Sequence, residues 1–107
     1  MAKQQKEKSF GIEWSTSAKK NFFEAIEYIS ESSIQGAGSV IDAITEALSK
    51  AAVNPQIYPS DKWKLDNDNS YRAFEVKRFR IAYKIYSDKK VIKVINFRHG
   101  RQFPASY

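Results

Sequence analysis

The sequence contains no cysteine. Disulfides, thiolate nucleophiles and cysteine-ligated zinc are therefore excluded, and nothing calls for an oxidising compartment. Histidine occurs once, as His99, so a paired-histidine mechanism is ruled out. Glycine and proline are scarce, at four and three residues, and they assemble neither a phosphate-cradling loop nor a nucleophile elbow. No apolar run approaches the length that spans a bilayer. Residues 1–8 are polar and rich in Lys and Gln, without the apolar stretch of a secretory signal. The expectation is a cytoplasmic protein with no metal, no cofactor and no membrane partner.

What is present suits one small core. Of 107 residues, 42% are hydrophobic and 14% aromatic, enough for a single domain over residues 9–107 after a disordered basic tail at 1–8. The charge is unevenly placed. Residues 1–8 carry three Lys and one Glu, residues 9–70 five basic and nine acidic side chains, and residues 71–107 ten basic and two acidic. The net +6 is thus concentrated as +8 in the last third. Such polarity points to a polyanion or an acidic protein as partner of that segment.

Hydrophobic periodicity divides the chain into six elements. Phe10, Ile12 and Trp14 alternate as in a strand. Ser15-Thr16-Ser17 offers N-cap oxygens to a helix whose stripe is Ala18, Phe22, Ile26 and Ile29. Residues 32–38, with two serines and two glycines, read as a break. A second stripe runs through Val40, Ile41, Ile44, Ala47, Leu48 and Ala51 and stops at Asn54-Pro55, where proline disfavours helix at and before itself. Asp66-Asn67-Asp68-Asn69-Ser70 is a strong turn signal, and it lacks the glycine and distal glutamate of a calcium loop. Strands follow at 71–76, 79–86 and 91–97; the last, apolar at Val91, Ile92, Val94 and Ile95, belongs in the sheet centre. The resulting class is α+β, in the order β-α-α-β-β-β. A helical hairpin packs on a mostly antiparallel twisted sheet, with the first strand placed at its edge.

Two cationic clusters carry the functional expectation: Arg72, Lys77, Arg78 and Arg80, and then Arg98, His99 and Arg101. Short hairpins would bring Arg80 beside the Arg98–Arg101 end. Guanidiniums are permanently charged and donate in a fork that fits phosphate. Cleavage of RNA through its 2′-hydroxyl needs such cations together with a base and an acid. His99 titrates near neutrality, and Tyr107 can donate a proton or stack on a base. Lys84 adds charge to the same region. Glu75, set among cations, reads as their neutraliser, and Trp14 and Trp63 read as packing residues.

The runs Tyr71-Arg72-Ala73-Phe74-Glu75-Val76, Phe79-Arg80-Ile81-Ala82-Tyr83-Lys84-Ile85 and Val94-Ile95-Asn96-Phe97-Arg98-His99-Gly100-Arg101 resemble the C-terminal half of the RelE/ParE toxin superfamily. Trp14-Ser15, Glu27-Tyr28-Ile29, Asn54-Pro55 and Tyr58-Pro59 agree upstream. The resemblance implies the toxin of a type II toxin–antitoxin pair, held inactive in a hetero-oligomer with an acidic antitoxin. By position it implies that Arg80 binds phosphate, that Arg101 follows the last strand as in the nucleases, and that Tyr107 occupies the place of their C-terminal tyrosine. Arg72 falls where those enzymes carry lysine. A ribosome-dependent mRNA endonuclease is the first expectation, acting through Arg80, Arg101, His99 and Tyr107, with Arg72, Lys77, Arg78, Lys84 and Arg98 contacting RNA. The long helical hairpin and the His99-Gly100-Arg101 ending are more typical of ParE-like inhibitors of DNA gyrase. A degenerate member that only binds antitoxin is a third reading. Antitoxin docking is expected on the helical hairpin at Phe22, Ile26, Ile44 and Leu48.

Overall fold

The computed structural model describes residues 9–100 and 106–107. The expected tail at 1–8 and the expected site residue Arg101 lie outside the described residues. The elements are β1 (Gly11–Trp14), α1 (Thr16–Ser32), α2 (Ile34–Val53), β2 (Tyr71–Val76), β3 (Phe79–Tyr86) and β4 (Val91–His99). They form one four-stranded sheet in the order β1-β4-β3-β2. β2, β3 and β4 make an antiparallel meander, and β1 joins at the edge, parallel to β4. Among the described residues, no helix is long and apolar enough to cross a membrane.

The helices start where hydroxyl groups satisfy orphan amides. Ser15 accepts from the Ala18 amide at 3.1 Å, and Ser33 accepts from the Gly36 amide at 2.8 Å. Ser33 also closes α1, donating its amide to Ile29 O. One serine thus does the work for which a break over residues 32–38 was expected, and Gly36 and Gly38 lie inside α2. Each helical glycine costs about 1 kcal/mol relative to alanine; the cap and the burial of Ala37 and Val40 offset it.

Side-chain parity in the sheet depends on one bulge. The β3–β4 register pairs Tyr83 with Val94 but Ala82 with Asn96, leaving Ile95 as the extra residue. Without it, Phe97 would face away from Ile92 and Val94. With it, Ile92, Val94 and Phe97 pair with Ile85, Tyr83 and Ile81 on the face that the helices cover. Ile81, Tyr83, Ile92, Val94 and Phe97 are all essentially buried there, each contributing about 1.5–3 kcal/mol. Tyr83 keeps its hydroxyl satisfied by donating to Pro55 O at 2.6 Å.

The connection from α2 to β2 wraps the opposite edge of the sheet. Ser60 bridges Arg72, the Asp61 amide donates to Tyr71 O at 2.8 Å, and Asn67 ties the segment with bonds to Asp61 O and Tyr71 O. The edge of β2 is thereby covered over part of its length. Positive φ at Asp66 and Asn69 matches the turn read from the sequence.

The β2–β3 hairpin turns through Lys77 and Arg78, with φ of 53° and 72°. Two consecutive left-handed residues define the turn that asparagine–glycine makes best, and side chains there cost about 1 kcal/mol each. Replacing Lys77-Arg78 by Asn-Gly should raise stability by about 1 kcal/mol, read as a higher urea midpoint with an unchanged slope; an unchanged or lower midpoint would contradict the turn assignment.

Candidate functional site

The bulge sorts the predicted residues onto two faces. On the open face, away from the helices, Arg80 pairs with Arg98 on β4 and with Glu75 on β2; Lys84 pairs with Lys93 and with Tyr71. On the helix face, Arg72 pairs with Tyr83, and Phe79 with His99. The expected group of Arg72, Arg80 and His99 is therefore not brought together. Alternation sends Arg72 and His99 to one side and Arg80 to the other.

Arg72 holds the fold: its Nη1 donates to Tyr58 O and its Nε to Asn69 O, both at 3.0 Å. His99 stands edge-on to Phe79, with centroids 5.4 Å apart. Together with Asn21, Glu24, Tyr28 and Arg98 it lines an open groove of about 800 Å³ between α1 and the β3–β4 end. Lys77 and Arg78 are exposed at the hairpin beside that groove. Gly100 is required here, because a Cβ would meet Arg78 O at 2.9 Å.

Arg80 and Tyr107 do converge, through a residue that the sequence reading passed over. Asp61 is buried, and its Oδ1 accepts from Arg80 Nη2 at 3.0 Å and from the Trp63 amide at 3.0 Å. Its Oδ2 accepts from the Tyr107 hydroxyl. Arg80 Nε lies 3.9 Å from Glu75 Oε2, and the Arg80 side chain is only 14% exposed. Tyr107 is locked by its backbone as well, its amide donating to Trp63 O at 3.1 Å and its carbonyl accepting from the Leu65 amide at 2.7 Å. The available signal was Asp61 two residues before Trp63: a short carboxylate that caps the amide two positions on makes an Asx turn.

An isolated buried carboxylate is costly, and it persists only when paired and fully bonded. Burial pushes the Asp61 pKa up, but the bond from Tyr107, the Trp63 amide and the Arg80 guanidinium outweigh this, leaving it below the ordinary carboxylate value. Tyr107 moves the other way: burial, then its bond to Asp61 and the charge on Asp61, raise its pKa. Tyr107 is thus a poor base at neutral pH.

The signs define a window. A depressed carboxylate stabilises above its unfolded pKa and loses that contribution as pH falls through the folded value; a raised tyrosine stabilises below about pH 10 and loses it above. Stability should be flat across neutral pH and fall below about pH 4. In urea titrations at neutral pH, Asp61→Asn should cost about 3 kcal/mol, because Arg80 loses its buried counter-charge and keeps only the exposed Glu75, 3.9 Å away. The variant should also show a shallower acid fall; Asp68, which Ser70 holds low, still titrates there. A variant as stable as the parent would refute the pairing.

The sequence model described as "ParE toxin of type II toxin-antitoxin system, parDE" matches residues 12–104. In structure, the chain is similar to the RelBE2 toxin–antitoxin complex from Mycobacterium tuberculosis, with TM-score 0.57 and 12% identity over 85% of this chain and 91% of that one. It is also similar to a double arginine-to-alanine mutant of the Escherichia coli toxin RelE in the free state, with TM-score 0.59 and 14% identity over 87% and 85%. The same mutant in complex with a peptide of its antitoxin gives TM-score 0.57 and 15% identity over 83% and 81%. No individual curated protein is matched in sequence. At these identities the structural likeness establishes the RelE-like fold alone.

Proposed function

This chain belongs to the family of ParE toxins of type II toxin–antitoxin systems, and from that premise we propose that it acts by binding, as a non-enzymatic inhibitor of DNA gyrase. The observation that carries this reading is the Asp61 carboxylate on Arg80. RNA cleavage, the first expectation from the sequence, needs cations open to a phosphate that gains negative charge in the transition state. Here the central arginine already serves a carboxylate, and that carboxylate would repel an approaching phosphate. Tyr107 donates to the same group, while Arg72 and His99 face the other way. The test is direct. Purified gyrase should lose supercoiling activity in the presence of the toxin while a reporter transcript stays intact during expression; cleaved transcripts with unaffected supercoiling would reverse the assignment.

The antitoxin is the second partner, and two of the similar structures were solved with an antitoxin bound. We place its docking site in the apolar groove between the helical hairpin and β1. Phe22, Ile44 and Leu48 form the floor, and Phe23 and Ile41 the walls. Ile44 and Leu48 are themselves buried, whereas Phe23 is 59% exposed; Ile26 packs on the core beside the groove. An antitoxin segment that folds on binding would lay its apolar side chains in this groove, whose one charged lining residue is Lys19. Phe23→Glu and Ile41→Glu should each weaken the toxin–antitoxin complex at least about tenfold with no loss of folded signal. Undiminished affinity in both would exclude this groove.

A further inference from the structure

The open face of the sheet carries a second cationic feature, separate from the neutralised Arg80. Lysines and tyrosines alternate along it as one connected row. Lys64 Nζ lies 5.4 Å from the Tyr107 ring centroid and 4.7 Å from that of Tyr71. Lys84 Nζ lies 5.0 Å from Tyr71 and 5.1 Å from Tyr86, and Lys89 Nζ lies 5.8 Å from Tyr86. Lys93 stands beside Lys84 in the register. Lys64 is committed, donating to Leu65 O and Tyr107 O at 3.1 Å each. Among the described residues no side-chain carboxylate is ion-paired with Lys84, Lys89 or Lys93, although Glu13 on β1 is the register neighbour of Lys93. Asp68, the acidic group that acts on Lys84 through space, has its carboxylate taken up by the Ser70 amide and hydroxyl at 3.0 and 2.6 Å.

Charge alone would fit any polyanion. The interleaved aromatics narrow the choice, because they offer ring faces to unstacked bases while the ammonium groups, on flexible stems, reach the adjoining phosphates. An acidic peptide has no use for the rings. The ammonium groups rest on the tyrosines through a modest cation–π attraction, which is readily exchanged for a phosphate. From this row we infer that the open face binds single-stranded nucleic acid along Tyr71, Lys84, Tyr86, Lys89 and Lys93, with no cleavage and little sequence preference. The inference goes beyond gyrase inhibition and does not depend on it, since it is read on oligonucleotides alone.

The test is fluorescence anisotropy of the full chain with labelled oligothymidine and oligouridine of about 20 nucleotides, long enough to exceed one small domain's site. Binding should weaken as salt rises. The double variant Lys84→Ala/Lys93→Ala should bind at least about tenfold more weakly, with the log–log salt slope reduced by about 1.4. Tyr86→Leu should weaken binding by about five- to tenfold with the slope unchanged, because it removes stacking and no charge. Equal affinity for the two oligonucleotides, or a preference for either, supports the inference and identifies the sugar it reads. No binding at low salt, or variants that bind like the parent, would overturn it. So would row variants that lose the antitoxin complex while oligonucleotide binding is intact, which would assign the row to the protein partner. Failure here with gyrase still inhibited would leave the family reading standing.

Discussion

A single buried carboxylate organises the open side of this molecule. Asp61 has one oxygen on the Arg80 guanidinium and the Trp63 amide and the other on the Tyr107 hydroxyl. It thereby joins the α2–β2 connection, the start of β3 and Tyr107, three segments far apart in sequence. None can leave without stranding a charge out of water, and that penalty is of the order of several kcal/mol. The same contact sets the chemistry. A guanidinium that already satisfies a carboxylate is less open to a phosphate, and this is what supports the proposed reading of the chain as a binder.

The Ile95 bulge is the second constraint. It restores Phe97 to the helix face and, by the same shift, carries Arg98 to the side of Arg80 and His99 to the side of Phe79. A strand of strict alternation would have exposed Phe97 or buried a charge. Lys84, Lys89 and Lys93, which have no ion-paired carboxylate among the described residues, lie farther along the open face, among tyrosines. Among the described residues of this positively charged segment, Arg80 is held by Asp61 and Glu75, and the lysine–tyrosine row is the part proposed to meet a polyanion.

Much of this fold was legible because local signals agreed with the global pattern. β2 and β3 have the bounds that their alternation predicts, and β4 runs two residues further, to His99. The helix break was overread, since glycine counts as a breaker only when no cap and no buried neighbour compensate, and Ser33 with Ala37 and Val40 does so. The site was legible only in part. The proximity of Arg80 to the end of β4 follows from hairpin length, and Arg98 is indeed its cross-strand neighbour. The separation of Arg72 and His99 from Arg80 was not readable, because a bulge leaves no reliable mark in sequence and parity inverts on either side of it. Asp61 was hidden for another reason: a loop aspartate looks solvated until the chain end folds over it.

The account stands on the Asp61–Arg80 pairing, and a double-mutant cycle measures that pairing alone. Unfolding free energies at neutral pH for the parent, Asp61→Asn, Arg80→Met and the double variant yield the coupling between the two side chains. A coupling of about 1–3 kcal/mol, with the double variant more stable than additivity of the single losses allows, is the predicted result. A coupling near zero would mean that Arg80 is free to meet a phosphate, and would contradict the account.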